Sequence, residues 1–109
     1  GRMNKETEKR IQQLQLIEQN LNNIIMQKQS FQMQLMENEN ALSEIEKTKK
    51  DVYKIVGTIM ISSDKDHLKK ELNYQKEILD LRIKNLEKQE NNFKEKAEDI
   101  QKEVMKDIK

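Results

Sequence analysis

Apolar residues recur along two long stretches of this chain at coiled-coil spacing, and a short run of different character separates them. With a set at residue 14 and d at residue 17, the first stretch puts Leu14, Leu21, Lys28, Leu35 and Leu42 at a. It puts Ile17, Ile24, Phe31, Asn38 and Ile45 at d. The second stretch puts Leu72, Leu79, Leu86, Phe93 and Ile100 at d, and Lys76, Ile83, Glu90, Ala97 and Val104 at a. Eight of ten positions are apolar in each, so each stretch predicts a helix with one buried seam. The predicted helices cover about residues 7–48 and 64–108. Ser63, with Asp66 three residues on, reads as the capping signal of the second.

Residues 51–63 read DVYKIVGTIMISS. This run is β-branched and aromatic, and it predicts a β-hairpin over about residues 51–62. Gly57-Thr58 fits a two-residue loop with glycine where φ must be positive. That loop sets Val56 against Ile59 and Ile55 against Met60. One face then holds Val56, Ile59 and Ile61, and the other holds Tyr53, Ile55 and Met60; Val52 begins the first strand. Two apolar faces on two strands are marginal alone in water and leave open edges. The hairpin is therefore expected to assemble with other subunits.

The two seams also fit each other. Leu14 with Ile100, Leu21 with Phe93, Leu35 with Leu79 and Leu42 with Leu72 each lie at equal sequence distance from Gly57. This predicts an intrachain antiparallel coiled coil folded about Gly57, each helix roughly 60 Å long at 1.5 Å per residue. The same register sets Asn38 opposite Lys76, a polar layer that favours one alignment. Lys28 and Glu90 read as side chains reaching outward from the seam.

Composition narrows the function. Charged residues make up 38% and apolar residues 34%, which suits long helices better than a compact core. Proline is absent and Gly57 is the one internal glycine, so nothing breaks a helix except near the middle. Net charge is +1, with both signs mixed along the chain, and the basic stripe of a nucleic-acid binder is missing. There is no cysteine for a disulfide or a thiolate metal site. No apolar run approaches a membrane span, and no signal peptide is visible. The expectation is a soluble cytoplasmic protein that binds neither nucleic acid nor membrane. Gly1 and Arg2 before Met3 read as an expression remnant.

No catalytic constellation stands out. His67 is the single histidine, with only Glu71 at i+4, which makes a poor metal site. A two-helix arm offers no concave site for chemistry, and no glycine-rich phosphate loop is present. No enzyme activity and no cofactor are expected.

Three strings carry a specific resemblance: MQKQSFQMQL at 26–35, VYKIVGTIMI at 52–61 and LRIKNLEKQE at 81–90. Together with the helix–hairpin–helix order, they resemble the β-type subunits of prefoldin, archaeal β or eukaryotic subunit-six-like. The resemblance runs from about Ile11 onward and treats residues 1–109 as a single prefoldin-like domain. It implies a mainly α fold: a long antiparallel two-helix coiled coil connected by one β-hairpin that joins an oligomeric β-barrel. It implies a hexamer of two α-type and four β-type subunits, joined through Val52, Tyr53, Ile55, Val56, Gly57, Ile59, Met60 and Ile61. Such a hexamer works without ATP. It holds unfolded polypeptides at the coiled-coil tips and passes them to a group II chaperonin.

By the predicted register, the tip combines the first and last residues. Its apolar candidates for client contact are Met3, Ile11, Val104, Met105 and Ile108. Ile11, Met105 and Ile108 lie outside the seam, and Val104 would face Arg10, so the seam is expected to loosen there. Exposed methionine suits varied shapes, although ordinary helix ends look similar. The alternative function is a structural coiled-coil scaffold that oligomerises through its hairpin. The two differ in whether the tips bind unfolded chains.

Overall fold

The computed structural model describes residues 4–48, 52–56 and 59–108; of the strand residues it describes the backbone alone. The order is α1 (Lys5–Lys47), β1 (Val52–Val56), β2 (Ile59–Ser63) and α2 (Lys65–Ile108). The helices run 43 and 44 residues. Neither contains proline or glycine, and both are rich in strong helix formers such as Gln, Leu, Glu and Lys.

Both helices begin on a side-chain cap. At α1, Asn4 Oδ1 accepts the Thr7 N–H at 2.8 Å, satisfying one of the free donors of the first turn. At α2, Asp64 Oδ1 accepts the Asp66 N–H at 3.2 Å, and the Asp64 carbonyl accepts from Leu68 N–H at 3.0 Å. The cap is thus Asp64 rather than Ser63, because β2 runs through Ser63 and moves the helix start by one residue.

The strands pair antiparallel, with Ile55 against Met60 and Val56 against Ile59, the alignment the hairpin pattern predicts. The expected fold class needs correction in its last part. The sheet has two strands, in the order β1-β2, and no barrel is present among the described residues. A barrel closes only when a first and a last strand also pair, and two strands of one chain have no further partner to close on. The chain is two long helices with a small two-stranded sheet between them in sequence. The proposed turn at Gly57 and Thr58 lies outside the described residues.

The chain forms two compact units, Gly1–Gln29 with Lys84–Lys109, and Ser30–Ile83. In the first, Ile17 and Ile24 of α1 are buried, with Leu86 and Val104 of α2. In the second, Ile45 is buried, with Leu79 and Ile83. All seven are predicted seam positions. Within the second unit, Arg82 lies over the Phe31 ring, 5.5 Å from its centroid, adding a cation–π contact. Asn38 is 6% exposed, and its amide donates to the Leu72 carbonyl at 3.0 Å. Lys76 instead reaches Glu39 at 3.7 Å. The expected Asn38–Lys76 layer therefore splits in two: the short amide stays in the core and the long amine swings to a carboxylate at its edge.

Candidate functional site

Two places carry the candidate residues. The first is the hairpin. Val52, Tyr53, Ile55, Val56, Ile59, Met60 and Ile61 all lie in the paired strands; Gly57 lies outside the described residues. The helix ends next to the strands are tied together. Thr48 closes α1 by donating its hydroxyl to the Glu44 carbonyl at 2.8 Å, and Lys65 Nζ donates to the Thr48 carbonyl at 3.1 Å. Lys69 pairs with Glu46 at 3.3 Å. These bonds hold the end of α1 against the start of α2, which sets where the two strands enter and leave.

The second place joins the start of α1 to the end of α2. Thr7 is 1% exposed, the most completely buried side chain among the described residues. Its hydroxyl lies 2.9 Å from Asn4 Oδ1 and 3.0 Å from Asp107 Oδ2. One hydroxyl proton cannot serve both oxygens. Asn4 Oδ1 already accepts the Thr7 N–H, so the charged Asp107 carboxylate is the stronger claimant. The Arg10 guanidinium donates to the same Asp107 oxygen. Val104, one turn before Asp107, is 8% exposed.

The tip candidates therefore separate. Met105 and Ile108 are open to solvent at 60% and 59% exposure. Ile11 is half-buried. Val104 is part of the core, and Met3 lies outside the described residues. The seam does not loosen at Val104: Arg10 turns away from it to Asp107, and the valine stays covered. Sequence reasoning missed Asn4, Thr7, Arg10 and Asp107. A signal was present, since Thr7 and Asp107 are equidistant from Gly57 and continue the a and d series by one layer.

Further along, Lys28 Nζ lies 3.5 Å from Glu90 Oε1, with the two side chains 20% and 12% exposed. Lys94 reaches the same carboxylate at 3.5 Å. The two seam interruptions neutralise each other instead of reaching separately for water. His67 lies 3.8 Å from Glu71 at the surface, and no group of three metal-ligating side chains occurs among the described residues. No helix among the described residues is long and apolar enough to cross a membrane.

Comparison with known proteins places this geometry. The family model for prefoldin subunits matches residues 8–109. The chain is similar to the prefoldin subunit beta of Pyrobaculum islandicum, 36% identical over 94 residues, covering 84% of this chain and 75% of that one. It is also 36% identical over 101 residues to the prefoldin subunit beta of Sulfurisphaera tokodaii, covering 91% and 81%. The crystal structure of the prefoldin beta subunit from Thermococcus strain KS-1 superposes with a TM-score of 0.91 at 32% identity, covering 96% of this chain and 94% of that one.

Proposed function

This chain belongs to the prefoldin subunit family, and from that premise we propose that it is a β-type subunit of a hexameric, ATP-independent co-chaperone. Its role is that of a chaperone subunit, not an enzyme. The observation that carries the reading is the family match over residues 8–109, which takes in α1 from Glu8 onward, both strands and α2.

The division of labour follows from what each place offers. In the assembly, the whole chain acts as one domain. The strand residues Val52, Tyr53, Ile55, Val56, Ile59, Met60 and Ile61 bind α-type and β-type sister subunits. The support is a two-stranded sheet whose outer edges pair with nothing among the described residues. At the other place, Met105 and Ile108 offer exposed apolar side chains to unfolded clients. The assembly hands these clients to a group II chaperonin in the cytoplasm.

The test is light scattering of a denatured test protein, in the presence of the chain assembled with its sister subunits. Suppressed aggregation is expected. Failure to suppress it removes the chaperone reading and leaves a coiled-coil scaffold. Met105→Ser with Ile108→Ser is expected to weaken holding while the assembly keeps its mass.

A further inference from the structure

Two outward flanks of the unit Ser30–Ile83 carry large apolar side chains that the seam leaves exposed. On α1, Met33 and Met36 are 60% and 57% exposed. On α2, Tyr74 and Leu81 are 65% and 66% exposed, and Ile78 between them is half-buried. Tyr74, Ile78 and Leu81 follow the i, i+4, i+7 spacing of one helix face. Met33, Tyr74 and Leu81 hold f of the heptad, the position that points away from the partner helix. The two flanks therefore back onto opposite sides of the coil. They also stand level. Met33 and Leu81 are equidistant from Gly57, as are Met36 and Ile78. The Phe31–Arg82 and Glu39–Lys76 contacts on either side of them hold that alignment in place.

The apolar flank of α2 has a limit. Further from the strands, its f positions are Lys88, Glu95 and Lys102. Tyr74 and Leu81 stand about 14 and 24 Å from the start of α2, at 1.5 Å per residue. A surface for extended polypeptides gains from length; this one ends within about five turns of the sheet, which fits a neighbour anchored by the same strands. Two or three side chains a side also cover far less than the roughly 1,200 Å² of a stable interface. Such a contact forms only between chains already joined elsewhere, where the joint supplies a high effective concentration.

We propose that these flanks are the two halves of a brace between copies of this chain: Tyr74, Ile78 and Leu81 of one copy rest on Met33 and Met36 of the next. The contact is heterologous, so each copy offers a different half to either side. Copies joined through their strands extend their helices from the same sheet. This sets α2 of one copy antiparallel to α1 of the next, and brings Leu81 to Met33 and Ile78 to Met36. The unbranched thioethers adapt to the aromatic and branched side chains opposite. The brace rests on the reading that the strands join sister subunits. It adds that sister arms are held side by side next to the sheet, with no client present.

The chain has no cysteine, so cross-links report only introduced thiols. The variant is Met33→Cys with Leu81→Cys, assembled with a cysteine-free α-type partner and mildly oxidised. The two thiols of one chain lie on opposite flanks and cannot meet, so a disulfide joins two copies. Cross-linked copies are expected as the main product. Gln19→Cys with Glu95→Cys, also at f but far from the strands, is expected to stay uncross-linked. A particle of normal mass with no more cross-linking than this control overturns the brace. Equal cross-linking by Met33→Cys alone or Leu81→Cys alone overturns the heterologous pairing. If the unaltered chain forms no particle, the assembly reading falls and the brace with it.

The unaltered chain gives a second readout, because oxidation of methionine by peroxide follows exposure. Met33 and Met36 are expected to oxidise about twofold slower or more in the particle than in the dilute chain, while Met105, equally exposed at 60%, keeps its rate. Unchanged rates at Met33 and Met36 refute the brace.

Discussion

Lys28 Nζ stands 3.5 Å from Glu90 Oε1, so the two charged residues that interrupt the apolar seams meet each other in a largely covered position. Neither charge is fully hydrated; Lys28 is compensated by Glu90, and Glu90 by Lys28 and Lys94 at equal distance. Removing Glu90 takes away the carboxylate that compensates the partly buried Lys28, while removing Lys28 leaves Glu90 with Lys94. Lys28→Met or Glu90→Gln alone is expected to cost about 1–2 kcal/mol, less than a fully buried pair because some water and Lys94 remain. Replacing both with Met and Leu is expected to be neutral or stabilising. A double-mutant cycle of urea melts measures the coupling.

Asn38 supplies a second prediction. Its amide nitrogen donates to the Leu72 carbonyl, while its Oδ1 has no partner and is buried. A buried polar atom without a partner carries a desolvation cost. Asn38→Leu is expected to raise stability by about 1 kcal/mol while loosening the preference for one alignment of the helices. Thermal melts check the first effect. Cysteine pairs placed on adjacent layers check the second, since a single alignment yields one cross-linked product and a relaxed one yields several.

The seam and the outward faces predict opposite tolerances. Ile24 is buried, and its truncation to Ala is expected to cost about 2–4 kcal/mol, from lost burial and the cavity left behind. Met26, two residues away, is exposed, and Met26→Ala is expected to change stability by less than about 0.5 kcal/mol. Parallel denaturant titrations of the two variants make the comparison.

The helix start gives a local test. Asn4→Ala removes the side-chain acceptor of the Thr7 N–H and is expected to cost about 1 kcal/mol. The effect should show as faster amide exchange in the first turn of α1, with the amides around Ile24 unchanged. Equal exchange in the first turn refutes the cap.

Much of this was legible from spacing. The a and d series place all seven buried apolar residues, and the alternation in residues 52–61 places the strand register. What spacing misses is the reach of long side chains. Arg10 lies opposite Val104 by position, yet its guanidinium extends past the seam to Asp107. Lys76 lies opposite Asn38 by position and binds Glu39 instead. Lys28 and Glu90 are displaced by about a turn from facing each other, and two flexible chains close the gap. Layer arithmetic assigns backbone neighbours; charged ends choose partners among several. The barrel expectation failed for a different reason: it came from the family resemblance and not from spacing, and the described residues form one two-stranded sheet.

The small sheet has a final consequence. β1 and β2 bond only to each other among the described residues, so each strand keeps one row of backbone donors and acceptors unused. On the proposed reading, sister chains use those rows, and a copy without sisters stays adhesive. Balanced supply then matters more than the strength of the helical seam. Produced alone at rising concentration, the chain should self-associate, and titrating in an α-type partner should disperse those species into particles of one mass. Sedimentation that shows a single monomeric species at all concentrations would contradict this. A cell making such a subunit must ration it against its partners, because the edge that builds the assembly is the same one that condemns the surplus.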